Sequence, residues 1–285
     1  MGKIITIDCG EEVINALSEL LGDEVAFVNE SFENIRDLKE YSMIIIQDGI
    51  NRDEILKRIR KLRHACYFRN MPIICIKKEG NIGSIEPYVT SGATEVLSLS
   101  DPPIACQQIL KGYLAPNRKP LDEEMEYIDS FIRNTCNVLK TTASVEASFQ
   151  EVYFINDFKI FGDISGIIGL SGATEGILGI TFYWPLAQMI IAQMMGVDED
   201  QINAELIHDG VAEIINMISG STKKEFVGKP HHFEISLPSV IVGSGHQISH
   251  SEDTSIAVLI FKVNFQYFAL QVCLNANHKN KKKKG

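Results

Sequence analysis

The sequence predicts two domains of different class: an α/β domain with a doubly wound, five-stranded parallel sheet, then an α+β domain with long antiparallel strands and helices on one face. The 285 residues are enough for two average domains. Short apolar runs alternate with amphipathic segments through the first part, and longer strand patterns follow. Between them, 114–124 holds two prolines and several charged residues, as linkers do. We place the first domain at 1–115, the linker at 116–123, the second domain at 124–276 and a basic tail at 277–285.

The elements of the first domain follow a strand–helix rhythm. The predicted strands are apolar without alternation, which indicates a parallel sheet covered on both faces. They lie at 3–8, 25–28, 43–46, 72–76 and 96–99. The predicted helices between and after them lie at 11–21, 31–39, 53–65, 84–91 and 102–113. Five strands that alternate with five helices predict the doubly wound arrangement.

The second domain has a different order of elements. Its predicted helices lie at 123–142, 185–196 and 203–227, and its predicted strands lie within 151–182 and at 233–242, 255–263 and 266–274. Pro185 suits the first turn of a helix and Gly196 suits its end. The short turn at 171–174 between two apolar runs predicts a hairpin.

Charge and hydropathy exclude several classes of function. The formal net charge is -10, and the second part of the chain is strongly acidic without a basic stripe, which argues against nucleic-acid binding. No apolar run is long enough to span a bilayer, and the first residues lack the features of a secretory signal. We therefore expect a cytoplasmic protein with no membrane insertion.

The cysteines and histidines do not predict a metal site. None of the six cysteines forms a C-x-x-C pair, so we expect buried free thiols in a reducing compartment. His246 and His250 are four residues apart, but the glycines and serines around them indicate a polar loop, which makes metal ligation there improbable.

The predicted helix at 203–227 carries the best candidate site. At about 100° per residue, one arc is apolar and faces a core; it holds Ile207, Val211, Ile214, Ile215 and Ile218. Asp209, Glu213, Asn216 and Gly220 fall on the opposite arc, where Glu213 and Asn216 project side by side as i,i+3 neighbours. The small Ser219 and Gly220 would let another macromolecule approach closely. Asn and Gly are poor helix formers, which favours a binding role over the alternative, a solvated polar face.

Three stretches carry a resemblance to a known family: DSFIRNTCNVLK at 129–140, GDISGIIGLSG at 162–172, and an E-x-x-N segment followed by ISLPSVIVG within 210–243. On these stretches the second domain resembles the CheX-type chemotaxis phosphatases of the CheC/CheX-like family. The second E-x-x-N of CheC-like relatives is absent, because Phe131 stands three residues before Asn134, and Asn134 three before Asn137. The resemblance implies a homodimer formed through β-strands, with which the apolar strands within 255–274 are compatible.

The resemblance implies a protein aspartyl-phosphate phosphatase that acts on a phosphorylated CheY-like receiver in trans. Asn216 would hold the attacking water in line with phosphorus, and Glu213 would dock onto the receiver's active-site lysine. Asp209, Ser219 and Gly220 would form the partner-docking face. The receiver would supply Mg²⁺, so no cofactor of the chain's own is expected. The alternative is a non-catalytic adaptor that binds receivers or chemotaxis components through both domains.

The first domain resembles a degenerate CheY-like receiver. The first strand ends in Asp8 and Cys9, so one of the two metal-binding acids is missing. The other positions align Gln47 with the phospho-acceptor, Lys77 with the hydroxyl and Leu99 with the lysine. Loss of these oxygen ligands would remove most of the Mg²⁺ affinity. We expect a receiver that is not phosphorylated, with Asp48 left open as an acceptor after a register shift.

Overall fold

The computed structural model of the chain forms two compact units, Met1–Pro116 and Asn117–Gly285, which are described separately. The described residues are 2–22, 25–35, 37–49, 51–66, 71–77, 84–114, 120–155, 158–159, 162–229, 232–243, 247–248 and 256–276. The basic tail, the first half of the predicted linker, and His246 and His250 lie outside these ranges. No helix within the ranges is both long enough and apolar enough to cross a membrane.

The first unit contains a parallel sheet of five strands in the order β2-β1-β3-β4-β5. The strands are β1 Gly2–Ile7, β2 Val25–Glu30, β3 Met43–Asp48, β4 Ile73–Lys77 and β5 Glu95–Ser98. The helices are α1 Glu11–Leu21, α2 Arg52–Ala65, α3 Glu86–Thr90 and α4 Pro103–Leu114. Separate apolar clusters cover the two faces, because Ile44 and Ile46 join one cluster while Met43 and Ile45 join the other. The predicted doubly wound α/β class is confirmed.

One predicted helix of the first unit is wrong. The segment predicted as a helix at 31–39 contains only a single 3₁₀ turn at Phe32–Asn34. Ile35 is already extended, and the carboxylate of Asp37 accepts a hydrogen bond from the Lys39 amide at 2.9 Å. A local side-chain bond of this kind closes a turn and competes with the helical hydrogen bonds of the backbone.

The second unit is built on a seven-stranded antiparallel sheet. Its order is β10-β8-β9-β14-β13-β6, and β11 pairs with β8 beside β10. The strands are β6 Ser148–Ile155, β8 Ile164–Gly172, β9 Thr174–Phe182, β10 Phe233–Ile235, β11 Ser239–Val242, β13 Ile256–Val263 and β14 Gln266–Ala276. Two short strands, β7 Phe158–Lys159 and β12 Gln247–Ile248, pair with each other. The predicted hairpin is β8 and β9.

Three helices pack on one face of this sheet: α5 Asp122–Ala143, α6 Trp184–Met195 and α7 Ala204–Phe226. The core between the helices and the sheet takes alternate residues from each strand, such as Leu178, Ile180 and Phe182 of β9. The predicted α+β class is therefore confirmed.

Two glycines fix the position of α7. A Cβ on Gly210 would lie 2.2 Å from Cδ1 of Ile191 on α6. A Cβ on Gly166 of β8 would lie 3.0 Å from Cγ2 of Ile215 on α7. Helix α7 therefore lies closer to α6 and to β8 than it could if either glycine were a larger residue. The helix begins at Asn203, whose side chain accepts a hydrogen bond from the Leu206 amide at 2.9 Å.

Candidate functional site

The exposed face of α7 carries the polar residues that the helical spacing predicts. Asp209 and Glu213 are exposed, and Asn216 and Gly220 are partly exposed. The five apolar residues of the opposite arc are buried. A continuous polar strip therefore runs for three turns along the outside of a helix whose other side is held in the core.

Glu213 and Asn216 lie side by side in the middle of this strip. As i,i+3 neighbours on a helix, their Cβ atoms are about 5–6 Å apart. Among the described residues, neither side chain has a hydrogen-bond or ion-pair partner. A carboxylate and a carboxamide are thus presented together to solvent, where both are available to an external molecule.

Ser219 does not belong to the docking face, so this part of the prediction is wrong. It is fully buried, and its hydroxyl donates to the carbonyl oxygens of Ile215 at 2.8 Å and Asn216 at 3.0 Å. At about 100° per residue it lies about 40° from Ile215 and about 60° from Asn216, at the border between the apolar and the polar arc. Its small size had suggested a role in docking, and the helical angle alone does not decide between the two sides for a residue at this border.

Gly220, in contrast, is open. A Cβ built on it would meet nothing within 4 Å, and its backbone is not in the left-handed region. Neither packing nor conformation requires a glycine here, although glycine costs about 1 kcal/mol relative to alanine inside a helix. The residue therefore leaves a smooth, empty surface one turn after Asn216.

A polar cluster takes the place of a second E-x-x-N site on α5. Asn134 is buried, and its amide donates to Glu225 Oε1 at 2.8 Å and to the Ser130 carbonyl at 2.9 Å. Arg133 lies 2.9 Å from Glu225 Oε2. Burial alone would raise the pKa of Glu225, but the Asn134 bond and the Arg133 charge more than offset it and hold the pKa below its ordinary value. This asparagine therefore joins α5 to α7 and is not available to a partner.

The residues that the sequence aligns with a receiver's acceptor site make internal contacts in the first unit. Asp8 has a φ of 51° and its carboxylate lies 2.6 Å from Arg58 Nη1. Cys9, at the position of the missing acid, is buried, which raises the pKa of its thiol to about 12. Gln47 accepts a hydrogen bond from the Gly10 amide at 2.7 Å. These groups form no set of carboxylate oxygens for a divalent cation.

Asp48 and Leu99 also lack the surroundings that a phosphorylated receiver site would need. Asp48 is buried on β3, and its carboxylate accepts a hydrogen bond from the Tyr88 hydroxyl at 2.6 Å. Burial and this bond raise the pKa of Tyr88 to about 12. Leu99, at the lysine position, lines an apolar cavity of about 320 Å³ with Leu17 and Leu110. Across the described ranges, no group of three or more His, Cys, Asp or Glu side chains is placed to hold a metal ion.

Comparisons with known proteins define the class to which the second unit belongs. Residues 164–262 match the family model described as Chemotaxis phosphatase CheX, and the matched range contains both Glu213 and Asn216. The curated protein named CheY-P phosphatase CheX from Thermotoga maritima is 25% identical over 118 residues, which are 41% of this chain and 75% of that protein.

Solved structures add relatives of higher identity. A putative chemotaxis protein from Desulfovibrio vulgaris Hildenborough is 32% identical, with a TM-score of 0.48 and coverage of 53% of this chain and 97% of that chain. Chemotaxis protein CheX from Vibrio vulnificus is 34% identical, with a TM-score of 0.48 and coverage of 53% and 99%. By the family match, the second unit contains a CheX-type domain. The family predicted from the sequence motifs is confirmed.

Proposed function

We propose that the protein is an aspartyl-phosphate phosphatase that dephosphorylates a phosphorylated CheY-like receiver in trans at the exposed face of α7. One observation carries the proposal: the second unit presents Glu213, exposed, and Asn216, partly exposed, side by side, and neither has a hydrogen-bond or ion-pair partner among the described residues. The name of the Thermotoga maritima relative, CheY-P phosphatase CheX, supports the choice of substrate.

The residue types suit the chemistry of an aspartyl phosphate. Water attacks phosphorus, a new P–O bond forms, and the bond from phosphorus to the aspartate oxygen breaks as the carboxylate leaves with the electron pair. The products are inorganic phosphate and free aspartate, and the proton of the water passes to phosphate or solvent. Since such a reaction needs positioning more than covalent help, an amide that orients the water is sufficient. Asn216 does this without the repulsion that a second carboxylate would exert on the phosphoryl oxygens.

Glu213 gives the partner its orientation. An exposed carboxylate complements the lysine of a receiver's active site, and such a charge pair favours one docking register over others. Asp209 extends the negative charge by one turn, and Gly220 leaves room for the backbone of the partner. The receiver brings the acyl phosphate and its own Mg²⁺, so the chain contributes only Glu213, Asn216 and the docking surface.

The alternative function is that of an adaptor that binds receivers without turnover. The internal contacts of Asp8, Gln47 and Asp48 favour it for the first unit, which we propose binds signalling proteins without being phosphorylated itself.

We also propose a homodimer formed through the CheX-like unit, which sedimentation would show as twice the 31.8 kDa of one chain. A monomer at micromolar concentration would contradict the dimer alone.

The test is the decay of phosphorylated receivers. Each CheY-like receiver of the same genome is phosphorylated with phosphoramidate and Mg²⁺, and its decay is followed with and without the full chain. We expect faster decay of at least one receiver, and loss of about 100-fold or more of this acceleration in Asn216→Ala. Asn137→Ala is the matched control, because Asn137 is an exposed asparagine on α5. Equal loss in both variants, or no receiver affected, would refute the proposal.

A further inference from the structure

An exposed leucine stands on a rigid turn at the edge of the second unit. Leu237 lies between β10 and β11, and 89% of its surface is exposed. The Ser236 amide donates to the Gly169 carbonyl at 2.9 Å, and the Ser236 hydroxyl accepts from the Gly169 amide at 3.0 Å. The same hydroxyl donates to the Leu237 carbonyl at 2.8 Å, and Pro238 restricts the next φ. The turn is therefore fixed, although its leucine contributes nothing to the core.

Two contacts establish where this turn lies along α7. At one end, Lys223 pairs with Glu234 of β10. At the other end, Val240 of β11 is paired with Gly166, and a Cβ on Gly166 would lie 3.1 Å from Val211 Cγ1. The segment from β10 to β11 thus runs antiparallel to α7, starting at its last turns and ending near its middle.

The turn at 236–238 therefore lies beside the part of α7 that carries Asn216 and Gly220. Asn216 is seven residues, or about two helical turns, before Lys223, so both project from the same side of the helix. Lys223 reaches β10 from that side. Leu237 follows Glu234, the partner of Lys223, by three residues, which is about 10 Å along an extended chain. The seven residues from Lys223 back to Asn216 span about the same length of helix, so Leu237 lies level with Asn216.

We infer that Leu237 is an apolar anchor for the phosphorylated receiver and determines which receiver is accepted. The inference rests on the proposed function and adds a partner contact to it: an apolar depression beside the phosphorylation pocket of the receiver. Three features lead to this occupant: a leucine that is almost fully exposed, its preorganised turn, and its position level with Asn216 along α7. Interfaces commonly combine a buried apolar anchor with polar groups that set the orientation.

The inference predicts an effect on binding rather than on chemistry. Loss of one buried leucine side chain weakens association by roughly 10- to 100-fold. Because Leu237 does not reach the phosphoryl group, Leu237→Ser should raise KM for the phosphorylated receiver by at least about 10-fold and leave kcat unchanged. Asn216→Ala should instead lower kcat, so the two variants separate docking from catalysis.

The experiment measures saturation kinetics of receiver dephosphorylation by the full chain, together with binding of the same receiver loaded with beryllofluoride. Leu121→Ser is the matched control, because Leu121 is an exposed leucine of the same unit, at the start of α5. We expect the KM and the dissociation constant to rise in Leu237→Ser only. Sedimentation of both variants checks that the oligomeric state is unchanged.

Each other outcome overturns a defined part of the account. If the wild type is active and Leu237→Ser has the wild-type KM, the anchor is refuted and the proposed function stands. If Leu237→Ser changes the oligomeric state, the surface belongs to a second copy of the chain, and the anchor is refuted. If the wild type binds a receiver without hydrolysing it, the proposed function fails and the dissociation constants alone decide on Leu237. If it neither binds nor hydrolyses any receiver, both fail.

Discussion

At the scale of single residues, glycines have opposite roles within the same helix. Gly210 is buried against Ile191, whereas Gly220 meets nothing within 4 Å. Packing requires a glycine at 210. The glycine at 220 lowers the stability of the helix, and no contact inside the unit explains why it is there. A difference of this kind can be tested without knowledge of the partner, since it concerns only the stability of the fold.

We predict that Gly220→Ala stabilises the second unit by about 0.5–1 kcal/mol, because alanine restricts the unfolded chain and suits a helix. Gly210→Ala should destabilise it by about 1–3 kcal/mol, because the added methyl overpacks the contact with Ile191. The measurement is urea unfolding followed by the fluorescence of Trp184, the single tryptophan of the chain, which packs on the core of the second unit. Stabilisation by both substitutions, or destabilisation by both, would contradict this account of the two positions.

The residue scale also shows which site residues the sequence can predict. Glu213 and Asn216 were found because their relation is local, and the helical period places them on one arc. Ser219 was misplaced because its helical angle lies at the border of the two arcs, and only the packing in the folded unit shows that it is buried. Leu237 had no signal, since an apolar residue within ISLPSVIVG is expected to be buried in a strand. Only the structure shows that the strand is interrupted at 236–238.

At the scale of elements, α5 and α7 are joined by a pair that is 91 residues apart in sequence, Asn134 and Glu225. Periodicity predicted both helices within a few residues of their observed ends, because each buries one apolar face. Nothing local indicates that Asn134 turns towards Glu225. The prediction of a helix at 31–39 was wrong for the opposite reason. A helical spacing is present there, but the chain forms only a short turn at Phe32–Asn34, and the side chain of Asp37 closes a further turn by a hydrogen bond.

This pair predicts a dependence of stability on pH. The pKa of Glu225 is lowered in the folded state, so its carboxylate stabilises the fold fully above the ordinary value of 4.5. That contribution is lost as the pH falls through the lower, folded-state pKa. Urea unfolding followed at Trp184 should therefore show that Glu225→Gln lowers stability at pH 7, and that the difference from wild type shrinks as the pH falls below 4.5. A difference that stays constant with pH would contradict this role of the carboxylate.

At the scale of the whole molecule, the chain combines a unit with a receiver-type sheet and a unit of the CheX family. The first has the parallel sheet that the sequence predicts, yet its acceptor region is occupied by contacts that the sequence did not reveal. Arg58 pairs with Asp8, and Tyr88 holds Asp48 in a buried position. These contacts join residues from distant parts of the chain, which is why only the missing acids could be predicted.

We predict that the full chain takes up no phosphoryl group from phosphoramidate or acetyl phosphate with Mg²⁺. Asp48 is buried and hydrogen-bonded to Tyr88, and the region offers no set of acids that would bind the cation. Intact-protein mass spectrometry at neutral pH, with a CheY-like receiver as positive control, measures this directly. An adduct removed by hydroxylamine and mapped to Asp48 would show that the buried position opens.

The central claim is that the face of α7 carries out turnover, and the direct measurement is the number of receiver molecules dephosphorylated per molecule of this protein. Phosphorylated receiver is supplied in large excess over the full chain, and inorganic phosphate is counted over time. We predict many turnovers for the wild type and for Asn137→Ala, and none above spontaneous decay for Asn216→Ala. At most one phosphate released per molecule of wild type, or turnover that survives in Asn216→Ala, would contradict the claim.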